Sequence, residues 1–155
     1  MTAQNTGLKA TLRQDLHSAI RAQDKVRSAT LRMALTAVTN EEVAGKAHRD
    51  LTDADVVGVL TKEAKKRREA SAAYTDVGRP ELAEQEQAEL AVLEVYLPAQ
   101  LDDAELERLA TEAVAEVGAS GMPQMGQVMK LLQPRVAGQA EGGRVAAAVR
   151  QALSA

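Results

Sequence analysis

The chain has 155 residues, 45% of them hydrophobic, with a formal net charge of −3. That length and apolar content support one domain or two small ones and exclude a wholly disordered chain. The charge balance excludes a strongly electrostatic nucleic-acid binder as a whole, and the lack of Cys excludes disulfides and thiolate chemistry.

Only Tyr74 and Tyr96 are aromatic, so alanine and leucine must fill the core. Such a core suits closely packed helices better than a sheet. No apolar run approaches the roughly 20 residues of a spanning helix. The first seven residues lack the basic and apolar pattern of a secretory signal, so the expected location is cytoplasmic.

Helix 1 is predicted from about Gly7 to Ala22, with Leu8, Leu12, Leu16, Ala19 and Ile20 on one face. Asp24 is the expected N-cap of helix 2, which continues to about Val43 on a stripe of Leu31, Ala34, Leu35 and Val38. Helix 3 opens on a capping box, Thr52 with Asp55, and a staple of Leu51 on Val56; it runs to Val77 and stops at Gly78. Pro80 fits the first turn of helix 4, which reaches Tyr96. Leu97-Pro98 marks a domain boundary, between residues 1–97 and 98–155.

Helix 5 opens on a second box, Asp102 with Glu105, stapled by Leu101 and Leu106, and ends at Gly118. Met125, Val128, Met129 and Leu132 recur at helical spacing in helix 6, and Pro134 is expected to stop it. Gly138 can take positive φ in the turn that follows. Glu141 stands where an N-cap would, and Val145, Val149 and Leu153 form the stripe of helix 7. Gly126 falls inside helix 6 at an expected cost of about 1 kcal/mol relative to Ala. Close approach of a neighbouring helix would explain it. The expected fold class is all-α and multihelical, four helices and then three, with no strand-period runs.

The stretch Met122 to Val145 resembles the C-terminal motif of the GatB/YqeY family. The shared pattern is Met125-Gly126-x-Val128-Met129, then Pro134-Arg135, then Gly138-x-Ala140-Glu141-Gly142 and an amphipathic helix. The family usually has Asp in place of Glu141 and often Gly in place of Lys130. Tyr96-Leu97-Pro98, followed by a capped helix, extends the resemblance over nearly the whole chain. It is similar to a stand-alone YqeY-type protein rather than to the longer amidotransferase B subunit. The resemblance implies a four-helix N-terminal bundle and a three-helix C-terminal bundle. It also brings the label of a carbon–nitrogen ligase with glutamine as amide donor, and it implies tRNA and amidotransferase or translation-associated proteins as partners.

Three constellations carry charge. The first is Arg67 facing Glu86 and Glu89. Val56, Leu60, Ala64, Arg67, Ser71 and Tyr74 share one side of helix 3; Leu82, Glu86, Glu89, Leu90, Leu93 and Leu97 share one side of helix 4. Charges inside facing apolar stripes read as an ion pair setting register, since acid/base work also needs a cleft and a reactive partner. The second is Lys62, Lys65, Lys66, Arg67 and Arg68, interrupted by Glu63 and Glu69 and lacking any aromatic for base stacking. It reads as a solvated face.

The third is Lys130, Arg135, Arg144 and Arg150, set against one acid, Glu141, in residues 121–155. Spacing alone reads these as surface charges. The homologous domain of amidotransferase B subunits contacts the body of tRNA, and by that resemblance these four become candidate RNA-binding residues. Gly126, Gly138 and Gly142 are motif and turn residues; no GxGxxG or GxxxxGK[ST] phosphate loop exists. His17 and His48 have no partner at metal-ligand spacing, and no serine lies in GxSxG, so no metal, cofactor or catalytic residue is expected. The expected function is a non-catalytic accessory module near tRNA. An amidotransferase activity and a protein-interaction module without an RNA role are the alternatives.

Overall fold

The structure is a computed structural model, and it describes residues 7–155. Among the described residues there are seven α-helices, one 3-10 turn and no strand. The helices are α1 (Leu8–Arg21), α2 (Lys25–Glu42), α3 (Asp53–Asp76), α4 (Pro80–Glu94), α5 (Asp103–Val117), α6 (Met125–Arg135) and α7 (Gly142–Ser154). The 3-10 turn, Met122–Gln124, leads into α6. The chain divides into two compact units, one ending at Leu97 and one running Pro98–Ala155.

In the first unit Leu12, Leu31, Leu60 and Leu93 bring one fully buried leucine from each helix. Ala19, Ala34 and Ala64 lie among them and let the helices approach closely. The starts follow local chemistry. The Asp24 carboxylate accepts from Arg27 N–H at 3.1 Å. Thr52 and Asp55 form the reciprocal box, both bonds at 3.1 Å. Pro80 opens α4 at a position whose N–H would lack a helical partner in any case.

Three of the stops, those of α1, α3 and α5, share one motif. At the end of α3 Gly78 takes φ +74°, Arg79 N–H donates to Tyr74 O and Gly78 N–H to Thr75 O, the two bonds of a Schellman cap. Gly118 ends α5 the same way. So does α1, but there the left-handed residue is Gln23, at φ +57°. A side chain in that conformation costs about 1–2 kcal/mol, and glycine chemistry could not have announced it.

Three expectations for the first unit change. Ile20 is 45% exposed and does not join the α1 core face. Leu35 is half-buried at the edge of the core. Helix α4 closes at Glu94, and Tyr96 and Leu97 follow in a turn.

In the second unit Leu106, Ala110 and Ala113 of α5 meet Val128 and Leu132 of α6 and Val145, Ala148 and Val149 of α7. Only half of the expected box forms at α5. Asp102 accepts from Glu105 N–H at 2.8 Å, while the Glu105 carboxylate turns to Arg108. Helix α6 runs one residue past Pro134. Pro134 and Lys130, whose carbonyl loses its helical donor, are both exposed residues. Gly126 is the second residue of α6, and a Cβ there would meet nothing within 4 Å. No helix packs on it, which overturns the close-approach explanation. Gly138 takes φ +77° as expected. Gly142 is the first residue of α7 rather than part of the turn. The chain entering this unit is tied to that turn, Leu101 N–H and Gln100 Nε2 donating to Gln139 O and Gly138 O, each at 2.8 Å.

Candidate functional site

Arg67 lies on the face of α3 turned to the core and is only 4% exposed. Its Nη1 donates to the Glu63 carboxylate and to the Glu63 carbonyl, each at 3.0 Å. Its Nη2 points to Met33 Sδ of α2 at 3.7 Å, and its Nε stands 3.7 Å from the Glu89 carboxylate of α4 without a hydrogen bond. The guanidinium therefore touches three helices. Glu89 is where the sequence placed it. The nearer carboxylate is Glu63, one turn back on α3, which along the sequence only interrupts the basic run. Glu86 neighbours Glu89 rather than Arg67. Burial pushes the Glu89 carboxyl above its ordinary range, and the Glu86 charge adds to this, while Arg67 opposes it.

A second polar cluster was not anticipated. The Tyr96 hydroxyl donates to the Asp15 carboxylate of α1, and Arg27 of α2 approaches the same carboxylate at 3.9 Å. Tyr96 was legible as a motif residue, but its partner lies 81 positions away. Burial pushes the phenol up to about 12, and the Asp15 carboxylate pushes the same way. A raised acid pKa means that the folded state keeps the proton longer than the unfolded one. Stability is therefore expected to fall as pH rises from 10 toward 12. In a Tyr74→Phe background, phenolate absorbance should give a midpoint near 12; a midpoint near 10 would mean the contact with Asp15 is not maintained.

Of the lysines on α3, Lys66 pairs with Glu63 at 3.3 Å and Lys65 with Glu69 at 3.9 Å. Lys62 has no carboxylate partner among the described residues. Arg68 reaches Glu94 at 3.5 Å.

The C-terminal basic residues are not gathered at one point. Arg135 pairs with Glu116 at 2.7 Å, near the C-terminus of α5. Arg144 pairs with Asp103 at 2.9 Å and donates to Leu101 O at 2.8 Å, at the N-terminus of α5. At 1.5 Å per residue those two ends of α5 lie roughly 20 Å apart. Lys130 and Arg150 are exposed and have no carboxylate partner among the described residues. Glu141 stands at the start of α7 with extended backbone, as expected for an N-cap, but its side chain makes no capping hydrogen bond.

His48 is less isolated than its spacing suggested. Its Nε2 lies 3.0 Å from Asp50, and ligand atoms of Glu42, His48 and Asp50 fall within 4.8 Å of one another. Glu42 already carries the Lys9 ammonium on both oxygens, at 2.7 and 2.9 Å. That cation neutralises the one buried ligand of the three.

The long match decides the family. Residues 9–153 match the family described as Yqey-like protein. The chain is a member of the YqeY family. Among curated relatives, this YqeY chain is 33% identical over 87 residues to Altered inheritance of mitochondria protein 41, mitochondrial, of Kluyveromyces lactis. That match covers 56% of the chain and 46% of the relative. The protein of the same description in Eremothecium gossypii is 31% identical over 110 residues, 71% of the chain and 59% of the relative. An uncharacterized protein of Schizosaccharomyces pombe is 33% identical over 92 residues, 59% of the chain and 72% of the relative. The chain thus spans about half the length of the two mitochondrial relatives. Among the described residues no helix is long and apolar enough to cross a membrane.

Proposed function

We propose that this YqeY-family chain is a non-catalytic, cytoplasmic accessory module that works beside tRNA, within tRNA-dependent amidotransferase or translation-associated machinery. Its N-terminal helices form a four-helix bundle and its C-terminal helices a three-helix bundle, and the second bundle carries the RNA contacts. The observation that carries this reading is the exposure of Lys130 and Arg150 without carboxylate partners, in a segment that holds one acid. Arg135 joins them. Its pair with Glu116 is about half exposed on both sides, and such pairs contribute at most about 1 kcal/mol, so a phosphate can replace the carboxylate. Arg144 supports the unit instead, holding the Leu101 carbonyl. The resemblance to the amidotransferase tail domain points the same residues toward tRNA.

The test is binding of bulk tRNA across a salt series, beside a Lys130→Ala/Arg135→Ala/Arg150→Ala variant. Affinity should fall linearly on a log–log plot, and the variant should lose about one unit of slope for each phosphate contact removed. Absence of binding at low salt, or a variant with an unchanged slope, would refute the RNA reading.

A further inference from the structure

In the first unit, two adjoining hollows of about 330 and 380 Å³ lie between α2 and α3. They share Ala37, Asn40, Glu63 and Lys66, and so form one trough. From Arg32 to Glu41 it follows α2 for roughly 14 Å, about two and a half turns. Half-buried Ala37 and Val59 line it, and Met33, 51% exposed, stands at one end. Met33 is an exposed apolar side chain held from beneath by the buried Arg67 guanidinium.

The walls are charged with a bias. Arg32, Lys62 and Lys66 line the trough and are exposed. Two acids also line it, Glu41 and Glu63. Both are already matched: Glu41 by Arg49 at 3.7 Å, and Glu63 by Arg67 at 3.0 Å and by Lys66. Arg32 and Lys62 have no carboxylate partner among the described residues. The trough therefore presents Met33, Ala37, Ala44 and Val59, interrupted by Thr36 and Asn40, beside the unmatched positive charge of Arg32 and Lys62.

We propose that this α2–α3 trough docks an acidic amphipathic helix of a partner protein. The apolar stripe of that helix covers Met33, Ala37 and Val59, and its flanking carboxylates meet Arg32, Lys62 and Lys66. A groove that sets apolar side chains between basic ones has the complement of such a helix. A nucleic-acid backbone fits less well. It gains nothing from the apolar side chains, and no aromatic side chain lines the trough to stack a base. The trough is built from residues other than the C-terminal ones assigned to RNA, so either assignment can fail alone.

The test uses a fluorescent designed peptide of about 18 residues, with leucines at helical spacing flanked by glutamates. A second peptide has lysine at every glutamate, and a uridine homopolymer serves as the nucleic-acid arm. The acidic peptide should bind the full chain and shift the amide resonances of Met33, Asn40 and Lys62. Binding should weaken about tenfold or more in Lys62→Glu/Lys66→Glu, and likewise in Met33→Asp, with helical circular dichroism unchanged. The lysine peptide should not bind. The proposal is overturned if the acidic peptide fails to bind, binds equally to the variants, or shifts resonances elsewhere. It is overturned equally if only the homopolymer binds at these residues.

Discussion

Replacing Leu132 with alanine is expected to destabilise the C-terminal unit by about 3–5 kcal/mol. Leu132 is 1% exposed and lies in the cluster where α5, α6 and α7 meet. The fully buried residues around it have little freedom to fill the space it leaves. The nearby core positions Val128, Val136, Val145 and Val149 are valines, β-branched and stiff at χ1. Ala110 and Ala113 have no length with which to fill a gap. The unit holds 58 residues, for which a typical stability is roughly 3–9 kcal/mol. The loss is thus comparable to the whole. Amide exchange at Val145 and Val149 should accelerate by two orders of magnitude or more, about 1.4 kcal/mol per factor of ten. A loss below about 1 kcal/mol would show that this cluster relaxes far more freely than close packing allows.

The second large effect is expected at Arg67. Removing one partner of a buried ion pair costs about 3–5 kcal/mol because the other charge is left unmatched. Here Glu63 and Glu89 keep partial contact with water, their side chains 15% and 17% exposed, so Arg67→Ala is expected nearer 2–4 kcal/mol. Part of that is lost packing of the Arg67 stem between α2, α3 and α4. Arg67→Met keeps the stem and removes the charge, so it separates the two contributions. If the ion cluster dominates, the methionine variant should be nearly as unstable as the alanine variant. If packing dominates, it should recover most of the loss. Urea denaturation of the two variants measures the difference. Wild-type stability in both would remove Arg67 from any role in holding the three helices in register.

Features set by a few neighbouring residues were legible in the chain alone. The caps at Asp24, Thr52 and Asp102 depend on a side chain reaching an amide three residues on, and the stops at Gly78 and Gly118 on one glycine each. The buried stripe Val56, Leu60, Ala64, Arg67 and Ser71 followed from helical period. Family membership was legible too, because an ordered set of turn and stripe residues survives over most of the chain.

What the sequence could not determine has one physical origin: it depends on which surfaces meet. Gln23 accepts a left-handed backbone because Ala19 and Ile20 carbonyls take the amides that close the turn, not because of its side chain. Gly126 looked like a contact point and faces open space. Tyr96 finds Asp15 only when α1 is laid beside the end of α4. Arg135 and Arg144 are near in sequence, yet α5 draws them to its opposite ends. The α2–α3 trough exists only once Met33 and Lys66, far apart in the chain, lie side by side. Local hydrogen bonds and helical period determine where each helix begins, ends and turns its apolar face. Long-range packing decides which charges are matched and which remain for a partner.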